Sequence, residues 1–115
     1  MNLGLEGKVA VITGGSDGIG KAAALSMSRE GARVAIAARD QSRLDAAVAD
    51  ISDQTQNPVL GISTDVRDED SVRSLISQVV DQWGGIDILV NNAGTSSTSR
   101  FEDMSNEQMT ADIEL

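Results

Sequence analysis

Histidine, cysteine and tyrosine are all missing from the 115 residues, and proline, tryptophan and phenylalanine occur once each. Without cysteine, disulfides and thiolate metal sites are excluded. Without histidine the chain lacks the commonest metal ligand and the usual acid/base that titrates near neutrality. With two aromatic side chains, any core must be built from Val, Ile, Leu, Ala and Met. Basic residues are also scarce, nine against eighteen acidic ones, for a net charge of −9. That balance opposes nonspecific binding to nucleic acid, which needs Lys and Arg to neutralise phosphates. It equally opposes docking on anionic membranes. No apolar run approaches the roughly 20 residues of a membrane-spanning helix. The opening "MNLGLEGK" lacks the basic-then-apolar layout of a signal peptide. A cytoplasmic location is the resulting expectation.

What is present alternates between two patterns. "KVAVIT", Lys8 to Thr13, is a short apolar run of the kind buried on both faces of a parallel sheet. The spacing predicts a helix from Ile19 to Glu30, with Gly31 as its stop. "RVAIAA", Arg33 to Ala38, reads as a second strand. A second helix runs through "SRLDAAVADIS", where Leu44, Ala47, Val48 and Ile51 share a face and Ser42 with Asp45 resembles a capping box. Asn57-Pro58 breaks the chain, and "VLGISTD" is the third strand. In the third helix Val72, Leu75, Ile76, Val79, Val80 and Trp83 fall on one face. Asp68, Glu69 and Asp70 stand near its start, where acids suit the helix dipole, and Gly84-Gly85 ends it. "IDILVNN", Ile86 to Asn92, is the fourth strand, and "SNEQ" at Ser105 to Gln108 reads as the cap of a further helix.

Strands alternating with helices imply an α/β fold with a parallel sheet and helical crossovers. With right-handed crossovers this is a doubly wound, Rossmann-type sheet of order 3-2-1-4, the first part of a dinucleotide-binding domain. Residues 1–115 form one such partial domain.

The loop "TGGSDGIG", Thr13 to Gly20, falls between the first strand and the first helix. Ligands of such sheets bind at the carboxyl ends of the strands. Gly14 can adopt backbone angles closed to other residues, Gly18 leaves room for a pyrophosphate, and Gly20 lets the helix pack closely. The helix N-terminus then offers free N–H groups to the phosphates. A merely structural strand-to-helix turn is the alternative, since many such turns contain glycine. No Gly-Lys-Ser/Thr follows, so a P-loop is excluded.

The spacing T-G-x-x-x-G-I-G resembles the short-chain dehydrogenase/reductase family. "LEGKVAVITGG", "TDV" at Thr64 to Val66 and "NNAG" at Asn91 to Gly94 extend the resemblance over almost the whole chain. The resemblance implies an oxidoreductase that moves hydride between NAD(P)(H) and a ketone or alcohol. It implies that Gly14, Ser16, Gly18, Ile19 and Gly20 line the pyrophosphate and ribose. Asp65 would accept from the adenine amino group beside the Val66 backbone, and Asn91, Ala93 and Gly94 would lie against the cofactor. Asn92 would be structural, and turn formation is the bland reading of the pair. At the end of strand two, Ala38 stands where NAD enzymes usually carry an acid, and Arg39 follows. A guanidinium suits a 2′-phosphate, which favours NADP(H) over NAD(H). Asp17 argues the other way, and Asp40 would be the ribose acid if the strand end is shifted.

The same resemblance implies catalytic Asn, Ser, Tyr and Lys residues. None is assigned here: Tyr is missing, and Lys8 and Lys21 do not fit Tyr-x-x-x-Lys. The expectation is a chain that ends before the catalytic half and is inactive alone. A noncatalytic nucleotide-binding module or a nonfunctional truncated product is the alternative. The apolar fourth strand would form an open edge, prone to aggregate or to need a complementing chain.

Overall fold

The computed structural model describes residues 4–16 and 18–92. Four strands and three helices alternate: β1 (Val9–Thr13), α1 (Gly18–Arg29), β2 (Arg33–Ala38), α2 (Gln41–Thr55), β3 (Val59–Ser63), α3 (Glu69–Trp83) and β4 (Ile88–Asn91). All pairings are parallel and the spatial order is β3-β2-β1-β4, as the alternation predicts.

This order decides which face each helix covers. The path from β1 through β2 to β3 steps one way across the sheet, so right-handed crossovers put α1 and α2 on one face. The path from β3 to β4 returns past β1 and β2, which puts α3 on the other. The core divides accordingly. Ile12, Val34 and Ile36 pack with Ala24 of α1 and with Leu44, Ala47 and Ile51 of α2. Val9, Val11, Ala35, Ala37 and Ile62 pack with Val72, Leu75, Ile76 and Val79 of α3. Alternate residues of β1 and β2 thus serve opposite layers, which is why both strands are apolar throughout. Full burial of a side chain such as Leu75 is worth roughly 1.5–3 kcal/mol.

The ends of three elements differ from the sequence expectation. The capping box of α2 does not form at Ser42. Asp40 is the N-cap instead, its carboxylate accepting from the Arg43 N–H at 3.2 Å, while Asp45 accepts from Gln41 Nε2. β4 begins at Ile88 rather than Ile86, because Asp87 turns its carboxylate to the Val9 N–H at 2.8 Å. β3 ends at Ser63, after which Thr64 Oγ1 donates back to the Ile62 carbonyl at 2.9 Å. The termini of α3 follow the sequence signals: Asp68 caps the Asp70 N–H, and Gly84 closes the helix at φ 87°. The helix expected from Ser105 lies outside the described residues. Among the described residues, no helix is long and apolar enough to cross a membrane.

Candidate functional site

Because the strands are parallel, their carboxyl ends lie on one side of the sheet. Thr13 of β1 pairs with Ala37 of β2 and with Asn91 of β4, and Ala38 pairs with Ser63 of β3. The segments that follow these residues carry the sequence-predicted positions. Neighbouring strands are about 4.8 Å apart, so the ends of β3 and β1 are about 10 Å apart across β2. The sheet therefore brings together the glycine loop, Arg39, Asp65, Val66 and Asn91. Ala93, Gly94 and Asp17 lie outside the described residues.

The glycine loop is built from close backbone approaches. The Gly14 N–H donates to the Ala37 carbonyl at 2.7 Å, and Gly14 itself sits at φ 67°. Gly15 is buried over β2, and a Cβ there would come within 2.7 Å of Ile36 Cγ2. A Cβ on Gly20 would collide with the Gly14 carbonyl oxygen. Gly18, at φ 59°, is the opposite case: a Cβ would meet no atom within 4 Å. So Gly15 and Gly20 pull loop and helix onto the sheet, while Gly18 opens onto free space at the start of α1. Ser16 is half-buried, and Ile19 stands 80% exposed beside Gly18. The first N–H groups of a helix have no intrahelical acceptor, so this end of α1 can receive an anion.

β4 is locked to β1 by Thr13, which is buried. Its Oγ1 donates to Asn91 Oδ1 at 3.0 Å and accepts from the Asn92 N–H at 2.9 Å. The side chain that makes this tie belongs to Asn91, while Asn92 contributes its backbone. Asn91 Nδ2 is buried and has no hydrogen-bond partner among the described residues. Such a donor costs about 1–3 kcal/mol until an acceptor reaches it.

Arg39 is exposed directly after β2, and Ser63 Oγ donates to its carbonyl at 3.2 Å. Asp40 follows, with its carboxylate given to the cap of α2. Asp65 is held firmly. Its N–H donates to Ser71 Oγ at 2.9 Å, and its carbonyl accepts from the Asp68 N–H at 3.0 Å. The Arg67 guanidinium grips its carboxylate, Nε to Oδ1 at 3.1 Å and Nη2 to Oδ2 at 3.3 Å. These bonds to Arg67, first from the guanidinium and then from the backbone, hold the Asp65 carboxyl below the ordinary range, and the Arg39 charge adds to them. Val66 is half-buried against the α3 layer. The Arg67 partnership was not anticipated from sequence, although "DVR" places a cation two residues after the acid. Among the described residues no group of acidic side chains is arranged to hold a metal.

A sequence model of short chain dehydrogenases matches residues 8–115. The chain belongs to that family. It is similar to an uncharacterised oxidoreductase of Staphylococcus epidermidis, with 37% identity over 108 residues that cover 94% of this chain and 45% of the relative. Among solved structures it resembles the L-sorbose reductase of Gluconobacter frateurii complexed with NADPH and L-sorbose. The TM-score is 0.81 at 34% identity, covering 96% of this chain and 48% of the other. A short chain dehydrogenase of Burkholderia cenocepacia in complex with NADP gives 0.82 at 32% identity, covering 93% and 51%. The family member described here thus spans about half the length of these relatives.

Proposed function

We propose that this chain is the dinucleotide-binding half of an oxidoreductase that transfers hydride between NADP(H) and a ketone or alcohol. The observation that carries the reading is the contrast within the glycine loop. Side chains are excluded at Gly15 and Gly20 by packing, whereas Gly18 opens onto empty space at a helix N-terminus. Gly18 also serves the turn, at φ 59°, and the open space beyond it leaves room for a phosphate at the helix N-terminus. The orphaned Asn91 Nδ2 and the exposed Ile19 at the same sheet end fit a bound ligand as well.

In this reading Gly14, Ser16, Gly18, Ile19 and Gly20 hold the pyrophosphate and the adjoining ribose. Asp65 accepts from the adenine amino group beside Val66, and Asn91, with Ala93 and Gly94, borders the other end. Arg39 takes the 2′-phosphate. NADP(H) is preferred over NAD(H) because Ala38 offers no carboxylate and Asp40 is engaged in capping α2. The bound dinucleotide supplies or accepts the hydride. The chain's own residues bind it, orient it and neutralise its phosphates.

A developing alkoxide also needs a proton donor. The 115 residues contain no tyrosine. We place the proton-transfer groups and the substrate pocket outside these residues, so the chain is inactive alone. The outer side of β4, bordered among the described residues by β1 only, fits pairing with a further strand or a complementing chain. A cytoplasmic setting completes the reading.

Calorimetric titration of the 115-residue chain with NADPH tests the proposal. Saturable one-to-one binding, lost in Gly18→Val, is expected. A folded chain that shows no heat of binding at millimolar NADPH would overturn it.

A further inference from the structure

The Asp65 carboxylate is nearly saturated by a single neighbour. A carboxylate has about four acceptor positions on its two oxygens. Oδ1 accepts twice, from the Arg67 N–H at 3.0 Å and from Arg67 Nε at 3.1 Å. Oδ2 accepts once, from Arg67 Nη2 at 3.3 Å. One acceptor position therefore remains, and it is on Oδ2. The fork also fixes the plane of the carboxylate, because a guanidinium bound through two nitrogens admits one mutual orientation. The Asp65 backbone is equally fixed, by Ser71 Oγ and by the Asp68 N–H. The Arg67 side chain is 61% exposed and that of Asp65 36%, so the pair stands at the surface of the sheet end rather than in the core. A surface ion pair of this kind adds little to stability. Its visible effect is directional: it leaves one oxygen, in one orientation, able to accept.

We propose that Arg67 is a positioning residue for the adenine end of the dinucleotide, holding Asp65 so that Oδ2 alone receives the amino group. The inference rests on the reading of Asp65 as the adenine acceptor. Preorganisation is the physical gain, because a carboxylate already fixed loses less rotational freedom when the base arrives. The fork also keeps Asp65 an acceptor only, so the site rejects a base that presents a carbonyl oxygen in place of the amino group.

The test compares NADPH with its hypoxanthine analogue, which carries a carbonyl oxygen where adenine carries the amino group. Dissociation constants are measured for both on the 115-residue chain by calorimetry. The unchanged chain should prefer NADPH by about tenfold or more, the worth of one hydrogen bond to a charged group. Hypoxanthine also carries a hydrogen on N1, so Asp65→Ala should shrink that preference to whatever the backbone beside Val66 contributes. Arg67→Ala should weaken NADPH binding several-fold and shrink the preference, and Arg67→Lys, which keeps the charge and loses the fork, should fall between. A purely structural Arg67 would lower the melting temperature and leave the preference intact, which overturns the proposal. Tighter NADPH binding in Arg67→Ala also overturns it, since Arg67 would then compete with the base. If Asp65→Ala keeps the full preference, the adenine reading itself fails and the inference falls with it. A loss confined to Asp65→Ala, with both Arg67 variants unchanged, leaves the reading standing and removes the inference alone.

Discussion

Gly20 lies against the carbonyl oxygen of Gly14 so closely that no Cβ fits between them. The approach seats the first turn of α1 on the loop that leaves β1. Gly20→Ala therefore has to push α1 away from the loop or twist the Gly14 peptide. Overpacking at a buried site typically costs about 1–3 kcal/mol. The same displacement moves the N–H groups at the start of α1, so NADPH affinity should fall about tenfold or more in parallel. Denaturant melts and titrations of the variant check both. Native stability together with native affinity would show that the loop tolerates the shift.

Thr13 is the buried link between β1 and β4. Thr13→Val keeps the shape and removes the hydroxyl, leaving Asn91 Oδ1 and the Asn92 N–H without their partner. Each unsatisfied group costs about 1–3 kcal/mol. The variant should lose a few kcal/mol in denaturant melts, whereas Thr13→Ser, which restores the hydroxyl, should lose much less. Equal losses in the two would show that the missing hydroxyl is not what destabilises Thr13→Val.

How far these features could be read in advance depends on whether their cause is local. The strand order was legible because alternating apolar runs and amphipathic helices leave few right-handed solutions. The caps of α3 were legible because Asp68 and Gly84 act on their own helix. The late start of β4 pairing was not, since Asp87 turns toward Val9, 78 residues away. The start of α2 is ambiguous in the sequence because Asp40 and Ser42 can both serve as N-cap. Asp40 takes the role, and Asp45 is drawn to Gln41 one turn away. In the candidate site the close packing at Gly20 could be read from spacing, whereas Gly15, set against Ile36 of the neighbouring strand, was not singled out. The grip of Arg67 on Asp65 could not be read, because a charged side chain carries no mark of its partner.

Lys21 on α1 pairs with Asp50 on α2 at 2.6 Å, with Gln54 donating to the same carboxylate. The hydrogen bond from Lys21, then that from Gln54, then the Lys21 charge lower the Asp50 carboxyl below its ordinary value of 3.8. A carboxyl depressed in the folded state contributes stability above its unfolded value and loses that contribution as pH falls through the folded value. Chain stability should therefore decline on acidification below about pH 4, in part through this pair. Asp50→Asn should flatten that acidic limb by lowering stability slightly at neutral pH, a small loss for an exposed ion pair, and leave the acidic end little changed. Matched denaturant melts at neutral and acidic pH decide it, and an identical acidic slope in the variant would assign the loss to other carboxylates.

Arg39 follows the last residue of β2, and its carbonyl is anchored by Ser63 while its side chain extends into solvent. The backbone is thus fixed and the guanidinium free to reach a ligand. NADPH and NADH differ only at the 2′-position of the adenine ribose, where the former carries a phosphate. An arginine–phosphate contact is charge-assisted and is worth about 1.5–3 kcal/mol. Arg39→Ala should raise the dissociation constant for NADPH by about tenfold or more and leave that for NADH nearly unchanged. The loss should also shrink with added salt, because the contact joins exposed charges. Asp17 precedes Gly18 in the sequence, and an acid near a bound 2′-phosphate opposes it. Asp17→Asn is therefore expected to strengthen NADPH binding selectively. If Arg39→Ala weakens both nucleotides equally, Arg39 contacts a part common to both and the proposed preference for NADP(H) falls.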